Sequence, residues 1–176
     1  MTQVANWFER KFEFTFPVEL YPNLIVRLWG TPLRLEELVR GRPRELMTRR
    51  PQLDKWSAQE HAGHLLDLEP LWMGRVEDYL SGRYPANQGE LTAADLSNRK
   101  THEANHNARP VQEILGDFQL TRQRLLDRVG NFEPETFARS MVHPRLKKPM
   151  RLVDHLYFVA EHDDHHLAKI WELIER

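Results

Sequence analysis

The sequence predicts an all-α fold, a four-helix bundle with one long loop between its second and third helices, running as a single domain over residues 1–176. Three observations lead there. Four segments repeat apolar residues at helical spacing, and none shows the sustained alternation of a sheet. Capping or helix-breaking residues bound the segments. A composition of 40% hydrophobic and 29% charged residues lets a chain of 176 residues bury one core beneath a mixed-charge surface. Four amphipathic helices sharing one core pack as a bundle.

In the first helix Leu24, Leu28, Leu35, Leu38 and Val39 hold one face in register, with Thr31-Pro32 kinking or breaking it in the middle because proline lacks a backbone donor. The second opens at Ser57, which forms a capping box with Glu60, and carries the stripe Leu65, Leu68, Trp72, Val76 and Tyr79 before ending near Ser81-Gly82. Residues 82–110, rich in Gly, Asn, Pro, Thr and Ser, form a loop that serves as a crossover or a lid. The third helix runs from Val111 to Val129 with Gly130-Asn131 as a C-cap signal. Pro134, Pro144 and Pro149 make residues 132–151 a connection. The fourth helix spans Leu152 to Glu175.

Composition excludes several classes of function. With no cysteine, the chain has no disulfide framework, thiol nucleophile, iron–sulfur cluster or thiolate zinc site, so soft-metal chemistry falls to its nine histidines. A net charge of −1 provides no field for nucleic acid or anionic lipid, and the basic patch from Arg42 to Arg50 is short and interrupted. No stretch without Asp, Glu, Lys or Arg is longer than eight residues, too short to span a membrane. The N-terminus does not read as a secretory signal, which makes a cytoplasmic location the expectation. G-x-S-x-G, H-E-x-x-H, a phosphate loop and a dinucleotide fingerprint are all missing from the sequence.

The histidines sort by helical geometry. His162 and His166 share the apolar face of Val159, Ile170 and Leu173, so one metal ion can reach both. His64 lies beside the stripe of the second helix, where a facing helix at 8–10 Å brings it to that pair. Three neutral imidazoles with no fourth protein ligand leave a position for water or substrate, the arrangement of a catalytic metal site. His64, His162 and His166 are therefore the predicted ligands. His165 aligns with Glu161, Lys169 and Glu172 and reads as a surface residue. His61 reads as a structural residue under Trp56, and His155 as a core or interface histidine. Glu103-x-x-His106 matches half of a di-iron motif whose remaining ligands are not found, and His102 and His143 receive no role. Asp67 is either an acceptor that orients an imidazole or a surface charge, and Asp163 reads as a surface charge.

These residues resemble the DinB-like superfamily, in particular its YfiT-type branch. Trp56-Ser57-x-x-Glu60, Gly63-His64-Leu65-x-Asp67-x-Glu69 and Arg75 are similar to the family's second helix. Glu161-His162-x-x-x-His166-Leu167-Ala168-x-Ile170 is similar to its fourth, and Gly30-Thr31-Pro32-x-Arg34-Leu35 to its first. The loop matches mainly through Asn98-Arg99-Lys100-Thr101 and Asn105-His106-Asn107. The resemblance implies an up-up-down-down-like bundle, a homodimer, and one divalent metal, zinc, nickel or iron, on His64, His162 and His166. Relatives of this kind include bacillithiol and mycothiol S-transferases and a mycothiol-dependent maleylpyruvate isomerase. The implied activity is transfer of a low-molecular-weight thiol to a small electrophile. A metal-dependent hydrolase and a non-catalytic bundle used for metal binding or dimerisation are the alternatives. Lys169 stands where relatives often have Gln, and His106 in the loop is either a functional group or part of a solvated turn.

Overall fold

A computed structural model describes residues 4–81 and 89–175. Four long helices dominate: α1 (Tyr21–Val39), α3 (Ala58–Leu80), α5 (Val111–Gly130) and α6 (Leu152–Ile174), with two short ones, α2 (Arg44–Thr48) and α4 (Arg99–Glu103), in the connections. Helices α1 and α3 each pack against both α5 and α6, so the bundle is square in section with α1 diagonal to α3. Among the described residues no helix is long and apolar enough to cross a membrane.

Each predicted helix is present within a few residues. The capping box at the start of α3 forms as its sequence implies, with Glu60 N donating to Ser57 Oγ and Ser57 N to a Glu60 carboxylate oxygen. Pro32 lies inside a continuous α1. The end of α5 differs from expectation. Gly130 closes the helix without adopting a positive φ, and Asn131 Nδ2 instead donates to Asp127 O at 2.6 Å. That side-chain bond satisfies a terminal carbonyl that a left-handed glycine would otherwise expose.

Two connections hold more structure than their composition suggests. Residues 140–142 (β1) and 149–151 (β2) pair as an antiparallel hairpin, too short for alternation to register in the sequence. The part of the predicted loop at 82–88 lies outside the described residues. The remainder contributes Leu91 to the core, and Glu90 bridges to Val142. Asn98 and Asn105 adopt left-handed backbone at φ 54° and 49°, which asparagine tolerates and β-branched residues do not. Those two reversals fold the Asn-rich stretch back onto α3.

Candidate metal centre

Two facing helices build the site. Helix α3 presents His64 and α6 presents His162 and His166, one turn apart, and one ring nitrogen from each of the three lies within 4.8 Å of the others. His162 Nε2 and His166 Nε2 are 3.2 Å apart. Two ligands at about 2.1 Å from a tetrahedral ion stand about 3.4 Å from each other, so this pair already has the spacing of shared coordination. All three rings are buried. Burial pushes His64 down to about 4, and His162 and His166 well below the usual range, which keeps the imidazoles neutral and their lone pairs available.

The surrounding side chains fix the orientation of the rings. His64 Nδ1 lies 3.0 Å from Thr101 Oγ1, and His166 Nδ1 lies 2.8 Å from His61 Nδ1. Each contact occupies Nδ1 and leaves Nε2 to face the other histidines. Thr101 also bonds Asp67, whose carboxylate meets His106 Nε2 at 2.8 Å. Asp67 therefore acts on His64 through a hydroxyl, one residue removed from the direct contact that its spacing suggests. His106 is buried beneath α3, where Gly63 makes room for it: a Cβ at Gly63 would lie 2.2 Å from His106 Cγ. His162 Nδ1 is buried without a partner among the described residues. The fit of a divalent ion to this donor set rests on these features: three convergent neutral imidazoles, two of them held by Nδ1 partners.

Several sequence-based expectations need correction. Asp163 is fully buried, not a surface charge, because α6 is enclosed by neighbours around most of its circumference, and it pairs with Arg122 Nη1 at 2.6 Å. His165 is half-buried, because the N-terminal segment crosses its stripe and sets Trp7 5.6 Å from it. His61 does pack under Trp56, at 5.3 Å between ring centroids, but it also contacts His166. His155 is a core residue beside Trp72 and Tyr79. Glu103 is exposed while His106 is buried against Asp67, so the half di-iron motif does not assemble.

A cavity of about 1200 Å³ opens onto the three histidines. Its walls come from Trp7 and Phe8 of the N-terminal segment, Trp56, Trp72 and Phe158, and the loop residues Ala93 to Leu96. Trp7 stands 5.0 Å from the His162 ring and Trp56 4.6 Å from that of His64. The N-terminal wall and the aromatic lining carry no periodic signal in the sequence, although Trp7 and Phe8 stand there as two large apolar residues outside the four expected helices, and they form a short 3-10 turn in the structure.

A four-helix bundle with three histidines converging from two helices defines the class. The family model of the DinB superfamily matches residues 28–170, and the chain belongs to that superfamily. Among solved structures it is similar to YfiT from Bacillus subtilis, described as a probable metal-dependent hydrolase with an unusual four-helix bundle topology. The TM-score is 0.75 at 20% identity, over 96% of this chain and 93% of that one. No curated protein sequence matches the chain.

Proposed function

We propose that the chain binds one divalent metal through His64, His162 and His166 and transfers a low-molecular-weight thiol to a small electrophile. The observation that carries the metal reading is the convergence of three buried, neutral imidazoles at the floor of a cavity. Zinc and nickel suit an all-imidazole set, as does iron(II). The volume of about 1200 Å³ exceeds the usual range for a single small ligand and favours two reactants held side by side.

A metal bound here lowers the pKa of a ligating thiol or water and so supplies a nucleophile at neutral pH. The protein's own groups do the rest. Thr101 and His61 hold the rings of His64 and His166 in their ligating orientation. Trp7, Trp56 and Trp72 surround the donors and limit water around the reacting atoms.

Hydrolysis by a metal-activated water is the second reading, favoured by the description of YfiT and served by the same three ligands. Elemental analysis of protein purified without a tag or chelating column tests the common premise. About one metal per chain is expected, and its loss in His162→Ala. Protein that contains no metal and takes up none of zinc, nickel or iron overturns it. Assays of the loaded protein with bacillithiol, mycothiol, glutathione and coenzyme A against a chloro-aromatic acceptor then separate the two chemistries. Turnover of esters or amides alone reverses the ranking.

A further inference from the structure

A second polar cluster lines the same cavity, and Trp72 links it to the three histidines, 5.4 Å from the Arg75 guanidinium and 5.6 Å from the His162 ring. Arg75 on α3 is 1% exposed, and among the described residues its guanidinium donates to one protein acceptor, Nε to Thr92 O at 2.9 Å. Arg145, in the hairpin turn, packs its guanidinium over Phe8 and Phe158, and its Nη2 is buried without a partner among the described residues. Neither arginine has a carboxylate as an ion-pair partner among those residues. Tyr79 and, less strongly, Asp78 favour the charge of Arg75, and the Asp78 carboxylate accepts from the Thr92 backbone amide at 2.7 Å.

His143 stands between the two arginines, and its tautomer follows from its neighbours. Nδ1 accepts from the backbone amides of Arg145 and Leu146, both at 3.2 Å, so the ring proton of the neutral form resides on Nε2. Burial keeps that ring neutral, at about 3, with the two arginines adding to the effect. Nε2–H then faces Arg75 Nη1 across 3.3 Å, one donor set against another. Donors gathered without an acceptor are costly inside a protein, and a buried cation without a counter-ion more so. Burial alone drives Arg145 down and is the main cause of the drop in Arg75 to about 10.

We infer that Arg75, His143 Nε2–H and Arg145 form a receptor for the anionic group of a substrate, a carboxylate or a phosphate. An oxyanion with several lone pairs satisfies two guanidinium forks and an imidazole N–H together. The apolar part of that molecule lies against Phe158, which is 5.0 Å from the His143 ring, and against Trp72 and Trp7, which are 5.6 and 5.0 Å from the His162 ring. The substrate is thus a small amphiphilic anion, with roughly one aromatic ring between its charge and the atom presented to the histidines. Placement of its reacting atom rests on the proposed metal reading. The anion receptor does not.

Quenching of tryptophan fluorescence measures binding of 4-chlorobenzoate and phenyl phosphate, with 4-chlorobenzamide as the neutral isostere of the first. The wild-type protein is expected to bind at least one anion about tenfold tighter than the amide, a preference that charge-assisted bonding supplies. Arg75→Met and Arg145→Met are expected to abolish the preference, and His162→Ala to retain it even without metal. Carboxylate and phosphate arms identify which oxyanion the receptor favours. Equal affinity for anions and amide in the wild type overturns the inference, as does a preference that survives in Arg145→Met, which alters a surface turn and leaves the helices intact. Metal uptake by a wild-type protein that shows no anion preference leaves the metal reading standing and this one defeated.

Discussion

Two buried arginines in this bundle have opposite surroundings. Arg122 on α5 is fully enclosed, yet it meets Glu69 of α3 at 2.6 Å and Asp163 of α6 at 2.6 Å, and its Nη1 also donates to Leu28 O of α1 at 3.2 Å. Burial works against its charge, but the two carboxylates outweigh burial and hold the guanidinium above its ordinary range. One side chain thereby ties all four long helices. Arg75, equally buried, pairs with no such acid among the described residues and shares its space with another arginine and an imidazole N–H. A buried polar group with every partner present is part of the architecture. One left with donors to spare marks a place where something from outside completes it.

The largest effect expected from this comparison is at Arg122. Arg122→Leu strands Glu69 and Asp163 in the core and should cost about 3–5 kcal/mol in urea unfolding. Arg122→Lys should recover only part of that, because an ammonium cannot serve both carboxylates in two-pronged fashion. A loss below about 1 kcal/mol in Arg122→Leu would show that the three-residue network is ornament rather than a tie.

Thr101→Val removes the hydroxyl between His64 and Asp67 at almost constant volume. Orienting partners of this kind contribute about 10–100-fold to metal affinity, and a zinc competition titration should show a weakening in that range. Unchanged affinity would place Thr101 among the packing residues. Added metal at about 100 times its dissociation constant should raise the melting temperature of the wild-type chain by roughly 5–10 °C, and that of Thr101→Val by less at the same concentration.

Glu60 extends the paired side of the comparison to the start of α3, where it bonds Arg50 and the Ser57 backbone. Burial alone would raise its pKa, but those partners hold it below the ordinary 4.5. A carboxylate depressed on folding stabilises the protein fully above its unfolded value and ceases to do so as the pH falls through its folded one. Glu60→Gln should therefore cost about 1–2 kcal/mol at pH 7, with the difference from wild type shrinking as the pH drops below 4.5. A difference independent of pH would assign the loss to shape rather than charge.

The smallest change in stability is expected at Arg75. Arg75→Met exchanges an unpaired buried cation for an apolar chain of similar length, and thermal unfolding should shift by less than about 1 kcal/mol in either direction. A loss as large as that of Arg122→Leu would break the comparison outright.

Much of the fold was legible because periodicity is local. Ser57 and Glu60 announced α3 three residues apart, and the spacing of His162 and His166 placed both on one face of α6 before any neighbour was known. Asp163 shows where that reasoning stops. A helical wheel separates faces, but how far around its circumference a helix is covered depends on the packed neighbours, and α6 is covered on nearly all of it. For the same reason the helical wheel does not show that Trp7 covers His165 or that His61 reaches His166.

The sequence by itself determined the helices, their inward faces and the three histidines that helix spacing could align, since each follows from short-range geometry and the chemistry of residue types. Only the tertiary structure decided what meets across the bundle. Thr101 reaches His64 over 37 positions, Arg122 reaches Asp163 over 41, and Arg75 reaches His143 over 68. Such pairings depend on which helices become neighbours and on how the connections fold back. No local pattern encodes whether a buried charge will find its counter-ion there.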